Sequence, residues 1–223
     1  EIAAGGPRTP DSARLGERNY NDAKLCLQTW QSCASCHPDA RSDGLNWDQM
    51  NDGFGSPKNS KSHIFSMQTP PAMSTGIRAN SHLAVRAGLK YIQFVSQPES
   101  CAAAIDAYLT ALQPVPSPHL VNGALGEAAV RGAALFQSRG CAACHAGEYF
   151  TDGKLHDIGT ATALEAGVTF DTPTLREIWR TAPYLHDGRY VTVREVVVTV
   201  HASRVSGLSA AQIDDLVEYL LSL

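Results

Sequence analysis

The sequence has little net charge and no long apolar run. Its 223 residues carry a formal charge of −4, so the chain lacks the basic face that binding to nucleic-acid phosphates requires. No apolar stretch approaches the roughly 20 residues of a membrane-spanning helix. The chain begins at Glu1 without a methionine or a signal peptide, and we therefore expect a mature form or a piece of something longer. The 43% of hydrophobic residues is nevertheless enough for a folded core.

Methionine and cysteine are scarce, and both are unevenly placed. Of three methionines, two fall in the segment "SMQTPPAMSTG". Of six cysteines, four form two Cys-x-x-Cys-His units that start at Cys33 and Cys141. The remaining two, Cys26 and Cys101, are compatible with a disulfide in an oxidising compartment or with two buried thiols.

The two Cys-x-x-Cys-His units belong to a repeat that extends well beyond the cysteines. A glycine precedes each unit, and an aromatic residue follows that glycine four positions later: Gly16 with Tyr20, and Gly132 with Phe136. After each unit, "TPPAMSTG" in the first half lines up with "TAPYLHDG" in the second. The repeat predicts two similar domains.

Helical patterns close both halves. "SAAQIDDLVEYLLSL" has Ser209 as N-cap with Gln212 three residues later, which is a capping box, and its apolar residues form one stripe. "CAAAIDAYLTAL" closes the first half in the same way. The segment "VTVREVVVTVHA" is β-branched and suits a strand by propensity, but the aligned "SHLAVRAGLKYI" has a helical pattern, so we predict helices for both.

The predicted fold is mostly α, with two tandem domains and a long irregular loop after each Cys-x-x-Cys-His unit. Between the halves lies "QPVPSPHLVNG", whose prolines cannot continue a helix. We place the first domain at residues 1–113, the Pro-rich linker at 114–125 and the second domain at 126–223. Each domain then has an ordinary size.

The Cys-x-x-Cys-His motif is typical of covalent haem attachment. Its two thiols add to the two vinyl groups of haem, and its histidine coordinates iron from one side. The alternative is a zinc site, which needs a second pair of Cys or His ligands nearby, and neither unit has such a pair at short range. The sequence therefore predicts two covalently bound haem c groups, assembled in the periplasm or outside the cell.

Three segments of the second half carry a family resemblance. "RGAALFQSRGCAACH", "TDGKLHDIGT" and "FDTPTLREIWRTAPYLHDGRYVTVREVV" resemble the bacterial dihaem cytochrome c peroxidase and MauG family. The resemblance implies two cytochrome-c-like domains packed together, with one haem in each. The first half is similar to dihaem modules at the C-terminal end of longer secreted chains, some with a β-propeller upstream.

For the second haem, His145 is the proximal ligand that the motif predicts. The resemblance implies that the distal ligand comes from the segment after the "HDG" turn and its helix, where peroxidases have Met and MauG has Tyr. In this sequence the ligand-type residue there is His201, and the alternative for it is a surface histidine at a helix end.

Other polar residues in the family motifs are predicted to support this haem. His156 and His186 resemble elements that hydrogen-bond haem propionates or loop backbone. Arg176 and Arg180 are positioned to pair with propionates.

For the first haem, the proximal ligand is His37 and the distal ligand has several candidates. We favour Met67 and rank Met73 below it, although a methionine often fills gaps in a core. Tyr91 aligns near His201 in the repeat and is a further candidate. The remaining histidines, His63 and His82, are predicted to face solvent.

The ligands decide between two functions. A capped, low-spin iron only passes electrons, whereas an open iron with an acid or base within reach cleaves peroxide. The resemblance implies a Glu for this role near the first haem, and Glu99 in "SQPES" lies one residue out of register. The family's "FWDGRA" reads "STGIRA" here, so its Trp is missing, and Trp30, Trp47 and Trp179 are the possible substitutes.

The predicted function is one-electron transfer between redox partners outside the cytoplasm. The partners implied are a small cytochrome, a cupredoxin or a larger complex. The alternatives are a peroxidase that reduces hydrogen peroxide at haem 1, and an electron-delivery module of a larger protein or complex.

Overall fold

A computed structural model describes residues 9–49, 53 and 55–223. The helices are α1 (Ser12–Asn21), α2 (Cys33–Cys36), α3 (Ser81–Ala87), α4 (Glu99–Ala111), α5 (Glu127–Ser138), α6 (Val193–Thr199), α7 (Ala202–Val205) and α8 (Ala210–Leu221). The strands are β1 (Asn46–Trp47), β2 (Lys58–Asn59), β3 (Leu155–His156) and β4 (Phe170–Asp171). The rest consists of loops, short 3₁₀ turns and a π-helical turn at Gly88–Ile92. The mostly helical fold with long irregular loops is confirmed.

One pair of helices dominates each half, and a glycine lies where the pair crosses. Helix α1 packs on α4, and α5 packs on α8. A Cβ added to Gly16 would lie 1.8 Å from the carbonyl oxygen of Ala104, and one added to Gly132 would lie 2.0 Å from that of Asp215. The glycine of the repeat is therefore present because the backbones of the two helices touch there.

Each half has its own apolar core, built around the aromatic residue that follows this glycine. Tyr20 and Phe136 are each 1% exposed. The first core also contains Ala40, Leu89, Ala102, Ile105 and Leu109. The second also contains Ala129, Leu175, Val193, Val197, Val205, Leu216, Tyr219 and Leu220.

Each of the loops that follow the Cys-x-x-Cys-His units contains one pair of short antiparallel strands. Strands β1 and β2 pair antiparallel with Asn46 opposite Asn59, and β3 and β4 pair antiparallel with Leu155 opposite Asp171. These two-residue ladders fold each loop back on itself, so the loop encloses the space beside the cysteines.

The predicted closing helix of the second half is confirmed, together with its cap. The backbone N–H of Gln212 donates to the Ser209 hydroxyl at 3.3 Å, and the N–H of Ser209 donates to the Gln212 side chain at 2.9 Å. The helix predicted in the first half is α4. No helix in the described ranges is long and apolar enough to cross a membrane.

The two remaining predicted helices each contain a wide turn: the first-half helix ends in one at Gly88–Ile92, and the second-half helix is broken by one. The N–H of His201 donates to the carbonyl of Val196 at 3.3 Å, and that of Gln93 to the carbonyl of Gly88 at 2.9 Å. Both bonds span five residues, as in a π-helical turn, which often marks a functional position. In the second half the turn separates α6 from α7, and His201 lies at the break.

The two cysteines outside the motifs are free thiols. Cys26 is buried and donates to the carbonyl of Gln93 at 3.5 Å, while Cys101 accepts from the side chain of Asn19 at 3.5 Å. The disulfide alternative is therefore not formed, and both thiols pack as small apolar groups in the first half.

Candidate haem-binding sites

Both Cys-x-x-Cys-His units form a single tight turn. The N–H of His37 donates to the carbonyl of Cys33, and that of His145 to the carbonyl of Cys141, each at 3.0 Å. The first turn is the short helix α2, with a capping box at Ser32. The second is a 3₁₀ turn. In the first unit the turn places both thiols and the imidazole on the wall of one cavity.

The two motif histidines have the same tautomer, fixed by backbone carbonyls. Nδ1 of His37 donates to the carbonyls of Lys61 at 2.9 Å and Arg41 at 3.1 Å. Nδ1 of His145 donates to the carbonyl of Phe150 at 3.1 Å. Because a carbonyl only accepts, Nδ1 carries the proton and Nε2 keeps its lone pair for a metal. Burial lowers the pKa of both imidazoles, which keeps them neutral.

A cavity of about 440 Å³ lies between the two halves. Cys33, Cys36 and His37 line it from the first half, with helix α3 beside them. Phe170, Leu175 and neighbouring loop residues line it from the second half. Its wall is mostly apolar, and burial raises the pKa of the Cys33 thiol to about 12. A dry pocket beside two thiols and an imidazole fits a large apolar cofactor attached through sulfur.

His201 faces the motif histidine of the second half. The rings of His145 and His201 have centroids 6.5 Å apart and planes at 84°. Two metal–nitrogen bonds of about 2 Å each, with half an imidazole at either end, span roughly that separation. Burial, followed by the nearby His145 and Arg204, lowers the pKa of His201 to about 4. His201 is therefore neutral at pH 7 and able to donate a lone pair.

His63 does not face solvent, and that prediction is wrong. Its ring stacks on His37 with centroids 3.9 Å apart, and its Nδ1 lies 2.8 Å from the Tyr20 hydroxyl. Burial lowers its pKa well below the ordinary value. The buried tyrosine supplies the polar partner that lets this histidine enter the pocket. His82 is exposed as predicted, with its Nδ1 2.8 Å from Asp106.

The other distal candidates of the first half lie in different environments. Met73 lines the cavity, in a left-handed backbone conformation with φ 73°. Met67 packs against the core of the first half. Tyr91 is 49% exposed, with the Lys90 ammonium 5.1 Å from the centre of its ring. Within the described ranges, Met73 is the one of these three that lines the cavity.

Glu99 lies on the surface at the start of α4. Its side chain is 72% exposed and forms an ion pair with Arg86. It does not line the cavity as the structure describes it. The structure therefore does not bring the predicted acid or base of a peroxidase to the pocket.

The two predicted arginines differ in how they are held. Arg176 lines the cavity, and its Nε donates to the carbonyl of Glu148 at 2.9 Å. Arg180 stacks over the Trp179 ring, 5.5 Å from its centre. The indole Nε1 of Trp179 is buried and has no acceptor within the described part of the chain. A buried donor of this kind fits a cofactor carboxylate.

His156 and His186 hydrogen-bond to carboxylates rather than to loop backbone. Nε2 of His156 lies 2.8 Å from Asp152. Nε2 of His186 lies 3.0 Å from Glu165, and its ring stacks on Phe170 at 3.9 Å. The backbone alternative for these two histidines is therefore wrong.

Sequence reasoning missed the buried charges that join the two halves. Among the described residues, three ion pairs cross this boundary: Arg41 with Glu177 at 2.7 Å, Lys58 with Glu165 at 2.7 Å, and Lys61 with Asp171 at 2.9 Å. Backbone bonds accompany them, such as the N–H of Asp171 to the carbonyl of Ser74 at 2.8 Å. The partners are more than a hundred residues apart in sequence, so no local pattern indicates them.

The chain is similar to known proteins over nearly its whole length. It is 31% identical to the hydrazine synthase subunit gamma of Kuenenia stuttgartiensis, over 97% of this chain and 79% of that one. The chain belongs to the MauG/dihaem peroxidase family. A cytochrome c family model matches residues 129–223. The methylamine utilization protein MauG of Methylorubrum extorquens is 27% identical, over 86% of this chain and 69% of that one.

Solved structures agree with membership of the MauG/dihaem peroxidase family. A structure of Kuenenia stuttgartiensis hydrazine synthase superposes with a TM-score of 0.83 and 30% identity, over 98% of this chain and 89% of that one. The dihaem peroxidase BthA of Burkholderia thailandensis shares the fold, with a TM-score of 0.65, 19% identity, and coverage of 99% and 87%. The chain therefore carries covalently bound haem c and has a haem-based redox role.

Proposed function

We propose that this protein is a dihaem c-type cytochrome that transfers single electrons between redox partners outside the cytoplasm. One haem is attached at Cys33 and Cys36, and the other at Cys141 and Cys144. Their domains are residues 1–113 and 126–223, joined by the linker at 114–125. Attachment of haem to this motif is chemistry of oxidising compartments, which supports a periplasmic or extracellular location.

The observation that carries this proposal is the facing pair His145 and His201. Two neutral imidazoles at this separation are suited to hold iron between them. A six-coordinate iron has no free position for peroxide, so the haem it belongs to cycles only between ferric and ferrous. The placement of Glu99 on the surface gives further support, because peroxide cleavage needs an acid or base at the iron.

For haem 1 we propose His37 as the proximal ligand. The carbonyls of Lys61 and Arg41 orient its ring, and a hydrogen bond of this kind also makes the imidazole a stronger donor. The cavity position of Met73 favours it as distal ligand over Met67, our preference from sequence. His63 lies against His37 itself, and we assign it to the support of that ring.

Electron paramagnetic resonance of the ferric protein tests the proposal. We expect two low-spin ferric signals in the resting protein and one in the half-reduced protein, with no high-spin signal in either state for hydrogen peroxide to abolish. The variant Cys141→Ala/Cys144→Ala removes the attachment site of haem 2 and so assigns the signals. A high-spin signal that peroxide abolishes would show an open iron and would replace electron transfer by peroxidase activity at haem 1.

A second candidate function is electron delivery within a larger complex. The similarity to a protein named as the gamma subunit of hydrazine synthase favours it. The native mass of the protein in extracts of the source cells distinguishes an independent electron carrier from a subunit of a larger complex. An isolated protein of 23.9 kDa plus haem, or a longer chain that is still monomeric, supports an independent carrier. Co-migration with other polypeptides supports the complex.

A further inference from the structure

Arg41 and Glu177 form a buried ion pair across the boundary between the halves. Nε and Nη2 of Arg41 donate to the two carboxylate oxygens of Glu177 at 2.8 and 2.7 Å. Arg41 is 8% exposed and Glu177 is fully buried. Removal of one partner of such a pair leaves an uncompensated charge in the interior. The position of each residue therefore depends on the other.

Arg41 also touches the proximal imidazole of the first half. Its backbone carbonyl accepts from Nδ1 of His37 at 3.1 Å. The same residue closes the turn after the motif, because its Nη1 donates to the carbonyl of Asp39 at 2.8 Å and its N–H to that of Pro38 at 2.9 Å. A shift of the guanidinium would therefore move the carbonyl that orients His37.

Glu177 is held by the second half and the linker. Its N–H donates to the carbonyl of Leu223 at 3.1 Å, and its carboxylate accepts from the N–H of Val115. Burial alone would raise the pKa of Glu177, but hydrogen bonds from Arg41 and Val115 hold it below the ordinary value. The carboxylate is therefore charged, and its position is fixed by contacts with the second half and the linker.

We propose that Glu177 is a positioning residue for haem 1, although it belongs to the half that holds haem 2. The inference rests on His37 as the proximal ligand in the proposed function. Glu177 fixes Arg41 and neutralises its charge, and Arg41 fixes His37. A well-held Nδ1 hydrogen bond makes the imidazole a stronger donor and favours ferric iron. Because Glu177 neutralises the Arg41 guanidinium, the arginine charge does not stabilise the extra electron of ferrous iron.

The test is a potentiometric titration of the haem-loaded Glu177→Gln variant, followed by absorption and by electron paramagnetic resonance. The looser Nδ1 hydrogen bond of His37 and the unbalanced charge of Arg41 both raise the midpoint potential of haem 1. At a fixed potential we expect at least a tenfold higher ferrous-to-ferric ratio at haem 1, which is about 59 mV for a one-electron couple. The ratio at haem 2 should change by less than twofold.

The matched control is Asp215→Asn. Asp215 accepts the same bidentate pair of hydrogen bonds from an arginine: Nε and Nη2 of Arg131 donate to its two carboxylate oxygens at 2.8 and 2.7 Å. This pair joins α5 to α8 and neither partner bonds a motif histidine. The control should leave the haem 1 potential unchanged, so a general loss of stability is separated from the positioning effect.

The double variant Arg41→Gln/Glu177→Gln keeps the test decisive if the single variant does not fold. It removes both charges and leaves none uncompensated. We expect its haem 1 potential to lie below that of Glu177→Gln but still above the original value, because the uncompensated charge is gone while the Arg41 guanidinium no longer holds the carbonyl that bonds His37. Equal shifts at both haems, or no shift in a folded variant, would overturn the inference. A peroxide-reactive iron in the unaltered protein would refute the proposed electron-transfer function, but it would leave this comparison of potentials valid.

Discussion

At the residue scale, the tautomer and the orientation of each motif histidine are fixed by the backbone carbonyl that accepts from its Nδ1. His37 and His145 both donate Nδ1 to backbone carbonyls, and neither has a carboxylate in that position. A carbonyl polarises the imidazole less than a carboxylate does, so both rings remain neutral donors. The two sites nevertheless differ in their neighbouring side chains, because His63 stacks on His37 in the first half, whereas His201 lies opposite His145 in the second.

His201→Met is expected to raise the midpoint potential of haem 2. A thioether stabilises ferrous iron relative to an imidazole, and the rise should be on the order of 100 mV within the roughly 0.8 V that axial ligands cover. Spectroelectrochemical titration measures it. His119→Met is the control, because His119 bonds Glu218 outside the cavity. An unchanged haem 2 potential in His201→Met would remove His201 from the ligand set.

The sequence could locate the motif residues, because the Cys-x-x-Cys-His spacing determines them, and the family resemblance singled out His201, whose ring lies 6.5 Å from that of His145. It could not predict His63, whose partner Tyr20 lies 43 residues away. A histidine in a loop of serines and lysines has the local pattern of a solvated residue. The contact that buries it comes from helix α1, which no local pattern connects to that loop.

At the element scale, the repeat is explained by two helix crossings. Gly16 and Gly132 each allow a backbone to touch a second helix. The sequence showed the glycine and its aromatic partner, but only the crossing explains why glycine is needed. The break at His201 was missed because the helix was predicted from the aligned "SHLAVRAGLKYI", whose side-chain pattern is helical. The interruption is a backbone hydrogen bond that spans five residues, which side-chain periodicity does not reveal.

Gly132→Ala is expected to destabilise the protein by about 1–3 kcal/mol, since the new methyl group overlaps the carbonyl of Asp215. Helix propensity alone predicts the opposite sign, a gain of about 1 kcal/mol. Urea unfolding monitored by circular dichroism measures the free energy. Val130→Ala on the exposed side of the same helix is the control and should change it by about 0.5 kcal/mol at most. A more stable Gly132→Ala would contradict the close crossing.

At the scale of the whole molecule, buried charges join the two halves alongside apolar contacts such as that of Phe65 with Tyr149. Glu165 is 1% exposed and is reached by Lys58, Ser56 and His186. Burial alone would raise its pKa, but the Lys58 ammonium, the Thr162 donors and His186 hold it well below the ordinary value. The two halves are held together by ion pairs between residues that are far apart in the sequence. Such pairs cannot be predicted from a single sequence.

Glu165→Gln should lower the free energy of unfolding by about 3–5 kcal/mol at pH 7, because Lys58 loses its buried counter-charge. A depressed carboxyl pKa contributes stability above its unfolded value of about 4.3, and that contribution declines as pH falls further. The difference between variant and original should therefore shrink below about pH 4. Asp214→Asn, in a surface pair with Arg194, is the control and should cost about 1 kcal/mol or less. A pH-independent difference would contradict an ionised Glu165.

The shared tautomer of the two motif histidines has a consequence for the direction of current. Electrons flow spontaneously from a lower to a higher potential, and two identical centres would provide no preferred direction. In the proposed dihaem carrier, a potential difference would have to come from the parts in which the two halves differ. Those parts are the proposed distal ligands, the ring of His63 against His37 and the charges between the halves. The differences between the halves would then set the direction of electron flow, while the shared motifs would supply the same chemistry at both ends.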